Sequence, residues 1–159
     1  LKEHEQLLGE KPDKLAVNVT LGILVNKYRI DEAWAILNQF SDSLDTVSYN
    51  TIMKGYSRTK RAREALALLD QMESTEGIFP TPNLISYNTV ADAFMRINHP
   101  DAALAVVHRS QRNGIKSDMF TCSILVKGID TTSNPQMLMI KYLFLRVKVL
   151  NQVVLLKLS

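Results

Sequence analysis

Asparagine recurs at one fixed place in two almost identical segments of the chain. Residues 47–51 read Val-Ser-Tyr-Asn-Thr and residues 85–89 read Ile-Ser-Tyr-Asn-Thr. A fainter copy upstream has Asn18 in the same place, and a fourth downstream has Ser123. Amide side chains carry both hydrogen-bond donors and acceptors, so the repeated chemistry is hydrogen bonding. Asparagine also suits the first turn of a helix for local reasons, and this alternative explains any one of the three by itself.

Catalytic and metal-binding residues form no comparable pattern. Cys122 is the only cysteine, so neither an internal disulfide nor a multi-cysteine metal site is predicted. A zinc deaminase would need His-x-Glu and Cys-x-x-Cys, and the three histidines share no ligand spacing. We therefore predict no enzyme, no cofactor and no metal site in this chain, and we expect Cys122 to be a small apolar core residue.

The composition is that of a folded, soluble domain. Of the 159 residues, 46% are hydrophobic and 22% are charged, which argues against disorder. The net charge of +3 comes from residues 133–159, which hold four basic residues and no acid, whereas residues 1–132 have 15 basic against 16 acidic residues. Charge alone therefore does not favour nucleic-acid binding by the body of the chain. The same four cations interrupt the apolar residues 137–158, which argues against a membrane-spanning helix.

Self-similarity divides the chain into units of about 35 residues. Starting each unit four residues before the recurring position places the starts at Lys14, Thr46, Leu84 and Met119. The predicted units are then 14–45, 46–83 and 84–118. Residues 1–13 end a preceding unit, residues 119–132 begin a fourth, and residues 133–159 form a degenerate apolar tail. Two explanations of the tail remain open: a gene model that runs past its true exon, or a terminal helix buried by a missing partner.

Each unit is predicted to form two short helices. Tyr49, Ile52, Met53 and Tyr56 follow the i, i+3, i+4, i+7 spacing of one apolar helix face. After a polar break at residues 57–60, a second apolar face follows, in which Ala65 would let two helices approach closely. Because no alternating strand pattern interrupts residues 14–128, the fold is predicted to be all-α, a stack of helical hairpins.

The pattern of units two and three resembles the pentatricopeptide repeat. The matching residues read Val-Ser-Tyr-Asn-Thr-Ile-Met-Lys-Gly-Tyr-Ser-Arg at 47–58 and Arg-Glu-Ala-Leu-Ala-Leu-Leu-Asp-Gln-Met at 63–72. The tetratricopeptide pattern is not found, since Trp34 lies beside the alanine of a second helix instead of opening a first. The resemblance covers roughly residues 10–130. It implies a right-handed superhelical solenoid of antiparallel helix-turn-helix repeats.

The resemblance also implies binding of single-stranded RNA, with one base read per repeat. The fifth and the last residue of a unit would hydrogen-bond the base edge, and the second residue would sandwich the base. Carried over, the base-reading pairs are Asn18 with Asp45, Asn50 with Asn83, and Asn88 with Asp118, while Ser123 belongs to an incomplete fourth unit. The sandwiching residues are Leu15, Val47, Ile85 and Phe120, for which the alternative is a place in the core.

Family preferences imply the pyrimidine-rich ligand 5′-U-(C/U)-U-3′. The middle base depends on Asn83, which three extra residues could displace. Arg58 and Arg96 share a position near the end of the first helix, where a cation could contact phosphate. The alternative for both is a solvated cation that complements the helix C-terminus.

The expected role by resemblance is organellar RNA processing, stability or translation, in a mitochondrion or chloroplast. The alternative is a helical-repeat scaffold that binds other proteins of an organellar ribonucleoprotein complex. A third possibility is the targeting arm of an enzyme whose catalytic domain lies elsewhere. The neutral repeat body favours a scaffold, and the recurring asparagines favour RNA.

Overall fold

The computed structural model describes residues 13–40, 44–74 and 78–126, together with Met139. The described residues form helices and turns, without a strand. In chain order the helices are α1 (Lys14–Asn26), α2 (Ile30–Gln39), α3 (Thr46–Arg58), α4 (Ala62–Ser74), α5 (Leu84–Arg96), α6 (Pro100–Arg112) and α7 (Met119–Val126). The predicted all-α fold class is confirmed. The first helix of each unit begins at the residue chosen from the sequence as the repeat start.

Each hairpin turns through a residue in the left-handed region. Tyr28, Lys60 and Asn98 have φ angles of 60°, 61° and 60° and lie two residues past the ends of α1, α3 and α5. The amide of the next residue then bonds back into the last helical turn, as Arg61 does to the Tyr56 carbonyl at 2.8 Å. Asparagine tolerates this conformation, whereas a lysine or tyrosine there is strained.

Replacing Lys60 by glycine is expected to stabilise the protein by about 1 kcal/mol, because glycine removes the cost of the positive φ angle. The Lys60 side chain is exposed, and no described hydrogen bond or ion pair holds it. Urea denaturation would measure the change in the free energy of unfolding. The matched control is Thr59→Gly at a negative φ angle, which should be destabilising. A loss of stability in Lys60→Gly would contradict the strain argument.

The core is a continuous layer between the two rows of helices. The predicted apolar face of α3 is buried, and so are Tyr87 and the alanines Ala33, Ala65 and Ala103 at one position of the three second helices. Tyr49 packs edge-on against Phe79 with ring centroids 5.7 Å apart. Gly55 lets α3 come close to the first hairpin, because a Cβ at this residue would lie 2.7 Å from Ile30 Cδ1.

The first helices pack on one another in sequence, α1 on α3, α3 on α5 and α5 on α7. Each second helix packs against its own first helix and against the first helix of the next unit. Long side chains join the second helices: Arg61, which precedes α4, pairs with Asp31 of α2, and Arg109 of α6 pairs with Asp70 of α4 at 2.6 Å. The row of first helices therefore presents one continuous surface.

A polar network joins the second and third units. The Tyr87 hydroxyl donates to Glu73 Oε1 at 2.5 Å and accepts from Asn113 Nδ2 at 2.7 Å. Arg109 Nε donates to the other Glu73 oxygen at 2.7 Å. Burial, followed by the hydrogen bond to Glu73, raises the pKa of Tyr87 to about 12.

This network predicts an alkaline loss of stability. The unfolded phenol titrates near pH 10, so the contribution of Tyr87 is fully present below that pH. It is lost as the pH rises through about 12. Tyr87→Phe is expected to lower the free energy of unfolding by about 1–2 kcal/mol at neutral pH. It should also reduce the fall of that free energy with pH between the pKa of the unfolded phenol and that of the folded one. Denaturation series at several pH values would measure both effects, with the exposed Tyr28→Phe as control. An unchanged decline in Tyr87→Phe would refute the assignment.

In the described residues, no helix is long and apolar enough to cross a membrane. The tail predicted over 133–159 lies outside the described residues except for Met139, and so does nearly all of the preceding unit predicted over 1–13.

Candidate nucleic-acid interface

The four residues predicted to sandwich bases are exposed apolar side chains at the start of the first helices. Their exposed fractions are 69% for Leu15, 59% for Val47, 62% for Ile85 and 61% for Phe120. The alternative that they belong to the core is therefore wrong. Four apolar side chains held in water at one helical position are suited to stacking on a flat ligand, and this role stays a prediction.

The closing residues of the three units are the N-caps of the next first helix. Asp45, Asn83 and Asp118 precede α3, α5 and α7 directly. In each, Oδ1 accepts from the backbone amide three residues later: at 3.2 Å for Asp45 and Asn83, and at 2.8 Å for Asp118. The hydroxyl oxygen of that later residue accepts a hydrogen bond from the backbone amide of the N-cap residue, which completes a capping box. The three extra residues before Asn83 are absorbed by the loop and leave the cap in register.

Capping decides which atom of each closing residue is left for a ligand. At Asn83 the cap uses Oδ1, which leaves the Nδ2 donor. At Asp118 it leaves the acceptor Oδ2. The amide and hydroxyl of Thr121 lower the pKa of Asp118, so its carboxylate is ionised at neutral pH. At Asp45 the remaining oxygen already pairs with Lys14. Burial alone would raise the pKa of Asp45, and the hydrogen bonds from Lys14 and Ser48 overcome this and lower it.

The recurring asparagines of units two and three are buried, and each lies three residues after an exposed apolar side chain on the same helix. Asn50 and Asn88 are 8% and 4% exposed, and the side-chain oxygen of each has no hydrogen-bond partner. Asn50 Nδ2 donates to Asn83 Oδ1 at 3.2 Å, so the structure brings together the predicted pair of unit two. An orphaned buried carbonyl destabilises a fold by about 1–3 kcal/mol, so these two atoms need an explanation beyond packing.

Unit one differs from the other two. Asn18 is half-buried, and its oxygen accepts from Ser48 Oγ at 2.6 Å. No described contact joins Asn18 to Asp45, and both side chains are engaged within the protein. In unit four, Ser123 Oγ donates to the Phe120 carbonyl at 2.8 Å. The residue that would close unit four, near Val153, lies outside the described residues.

A cavity of about 940 Å³ lies over α3, α5 and the start of α7. Ile85, Asn88, Asp118 and Phe120 line one part of it. The predicted reading pair and sandwiching residue of unit three therefore share the cavity with the predicted sandwiching residue of unit four. The other lining residues include the polar or charged side chains of Lys54, Ser57 and Arg58 on α3 and of Asp92 and Arg96 on α5. The two predicted phosphate contacts, Arg58 and Arg96, therefore share one cavity with the base-reading pair.

Several lining residues were missed by the sequence analysis. Lys54 lies one helical turn after Asn50, a spacing that could have identified it. Asp92 is the counterpart of Lys54 in α5. It accepts from Arg96 Nε at 2.6 Å and from Ser57 Oγ at 3.2 Å. Among the described residues, no group of three or more His, Cys, Asp or Glu side chains is placed to hold a metal ion.

Stacked hairpins whose first helices form one continuous row define an α-helical repeat protein. The sequence profile of the PPR repeat family matches residues 44–81 and 82–129, more than half of the chain. The chain therefore belongs to the pentatricopeptide repeat family, as the sequence resemblance predicted.

Known proteins agree with this assignment. A chloroplastic pentatricopeptide repeat-containing protein of Arabidopsis thaliana is 33% identical over 86 residues, which is 54% of this chain and 10% of the relative. A second chloroplastic one from the same plant is 25% identical over 129 residues, covering 79% of this chain and 16% of the relative. The crystal structure of the pentatricopeptide repeat protein PPR10 from maize superposes with a TM-score of 0.76 at 19% identity, covering 90% of this chain and 21% of PPR10. The chain thus spans between 10% and 21% of the length of the relatives named here.

Proposed function

We propose that this chain binds single-stranded RNA through its row of first helices and reads one base with each of its complete repeats. The observation that carries the proposal is the recurrence, in units two and three, of a buried asparagine with an unpartnered oxygen, three residues after an exposed apolar side chain. Each asparagine belongs with a closing residue whose free atom is fixed by helix capping. A planar base stacked on these apolar side chains would supply the missing hydrogen bonds.

The free atoms support a definite choice of base. The ionised Asp118 offers an acceptor, which matches the N3–H donor of uracil. The Nδ2 of Asn83 offers a donor, which matches the N3 acceptor of cytosine. The proposed ligand is pyrimidine-rich, 5′-U-(C/U)-U-3′, and cytosine is favoured in the middle. The first base is expected to contribute least, because Asp45 already pairs with Lys14 and Asn18 with Ser48.

The proposed setting is an organelle, where the RNA would be processed, stabilised or translated. Two of the relatives are named as chloroplastic. The repeats here read three bases at most, so a longer site would need further repeats in the same protein.

The test is fluorescence-anisotropy titration of the whole chain with short labelled RNAs that contain U-C-U, U-A-U or only purines. Good base contacts discriminate by about 1–3 kcal/mol each, so U-C-U is expected to bind about tenfold more tightly than U-A-U. Equal affinity for all three RNAs, or no binding by a chain that circular dichroism shows to be helical, would refute the proposal.

A protein-binding scaffold is the second candidate. The observation in its favour is an exposed apolar stripe on α1, in which Leu15, Val19 and Ile23 follow at i, i+4 and i+8 and are each at least half exposed. If the folded wild-type chain binds none of the three RNAs, this candidate would be favoured.

A further inference from the structure

We infer that Lys54 and Arg58 together form the phosphate-contacting site of this protein, and that Arg96 does not take part in it. The inference rests on the proposed RNA binding and assigns the backbone contacts of the bound strand. It separates two arginines that the sequence places at equivalent positions.

The positively charged side chain of Arg58 is positioned by two neutral residues and by no acid. Its Nη1 donates to Asn26 Oδ1 at 2.7 Å, and its guanidinium lies 5.5 Å from the centre of the Tyr28 ring. Both contacts come from the turn of the preceding hairpin, and both leave the positive charge uncompensated. A cation over an aromatic face is oriented without being neutralised. Arg58 therefore presents a full charge to the cavity in a fixed place.

Lys54 adds a second uncompensated charge on the same helix face. It lies four residues before Arg58, is exposed, and lines the same cavity. In the described part of the chain, neither Lys54 nor Arg58 forms an ion pair with a carboxylate.

Arg96 has the opposite surroundings. Its Nε donates to Asp92 at 2.6 Å in an ion pair, and Asp92 occupies the position that Lys54 has in α3. The replacement of a lysine by an acid at this position converts a doubly positive turn into a neutral one. The equivalent residues Arg58 and Arg96 are thus expected to differ in function.

The charges of the cavity give the strand an orientation. Lys54 and Arg58 are positive at the α3 wall, while Asp118 is negative at the start of α7. A nucleotide carries a negative phosphate and, in uracil, an N–H donor on the base. The phosphodiester would therefore lie toward α3 while the base edge faces Asn88 and Asp118.

The experiment measures the RNA affinity of the full chain and of three variants between about 50 and 200 mM salt: Lys54→Ala, Arg58→Gln and the charge-neutral double variant Asp92→Asn/Arg96→Gln. Each phosphate contact on a single strand contributes about 0.7 to the slope of log affinity against log salt. We expect Lys54→Ala and Arg58→Gln each to lower that slope by about 0.7 and to weaken U-C-U and U-A-U equally. The double variant removes the ion pair without changing the net charge, and it should change neither the slope nor the affinity by more than about twofold.

A fourth variant tests how Arg58 is held. Tyr28→Asn removes the ring under the guanidinium while keeping a residue that tolerates the positive φ angle. It is expected to weaken binding of every RNA about twofold, without loss of thermal stability.

The outcomes separate this inference from the proposed function. Base preference in the wild type with an unchanged salt slope in Lys54→Ala and Arg58→Gln would overturn the inference and leave the proposed function standing. Equal losses of RNA affinity in Arg58→Gln and in Asp92→Asn/Arg96→Gln would overturn it as well. If the wild type binds no RNA, both fail together.

Discussion

Replacing Asn83 by aspartate is expected to change the preferred middle base from cytosine to uracil. The cap on α5 should survive, because asparagine and aspartate are about equally good N-caps. Oδ1 would still accept from Ser86, and Asn50 Nδ2 could still donate to it. Only the free atom changes, from the Nδ2 donor to an ionised acceptor oxygen. Competition titrations with U-C-U and U-U-U should therefore shift by about tenfold in relative affinity, or about 1.4 kcal/mol.

The reciprocal change is Asp118→Asn in unit three. It replaces an acceptor by a donor, so the preferred third base should change from uracil to cytosine, with U-C-C gaining on U-C-U. This variant also removes a negative charge, which by itself strengthens binding to any RNA. Asp101→Asn removes the same charge from the exposed start of α6, and it is the control for this non-specific gain.

Together the two variants test whether capping fixes the free atom. A switch at the expected base in each variant, without a switch at the other base, would support it. If both variants gain or lose affinity without a change of preferred base, the closing residues act on stability or charge alone. Thermal denaturation should give nearly equal midpoints for all three proteins, because every cap is retained.

Periodicity was sufficient to place the helices. The apolar spacing of Tyr49, Ile52, Met53 and Tyr56 marks a buried helix face because only a 3.6-residue period brings these side chains together. The recurrence of the same pattern at residues 85–94 locates the next first helix. Local rules therefore determine where the hairpins begin and which face is buried.

The capping role of the closing residues was also present in the sequence but was not recognised. Asp45, Asn83 and Asp118 are each followed three residues later by serine or threonine, which is the pattern of a capping box. With this pattern, the register of Asn83 follows from the start of α5 and is independent of the loop length. The greater length of unit two, 38 residues, therefore does not displace Asn83 from the start of α5.

The electrostatic partners that are far apart in the chain could not be predicted from the sequence. The pairing of Lys14 with Asp45 joins residues 31 positions apart, and the contact of Arg58 with Asn26 joins residues 32 apart. Such contacts depend on the rise and rotation from one hairpin to the next. The pairing of Arg96 with Asp92 is an i, i+4 pair within one helix that the sequence could have shown, whereas the contacts that hold Arg58 require the stacked structure.

Removing the buried amide of Asn88 is expected to stabilise the protein while it impairs RNA binding. Leucine has a similar branched shape, leaves no orphaned oxygen in the core and favours the helix more than asparagine does. Asn88→Leu should therefore raise the free energy of unfolding by about 1 kcal/mol. The same variant should bind U-C-U about tenfold more weakly and lose its preference at the third base.

The opposite signs of these two effects make the prediction informative. If Asn88 had only a structural role, its substitution would lower stability and would change binding only through unfolding. Asn50→Leu should gain less stability, because Asn50 already donates to Asn83 at 3.2 Å and that bond would be lost. Asn38→Leu, at an exposed position of α2, controls for the change of residue type and should leave binding unaltered. A destabilised Asn88→Leu that keeps wild-type affinity would mean that the unpartnered oxygen serves packing, and the base-reading role of this position would have to be given up.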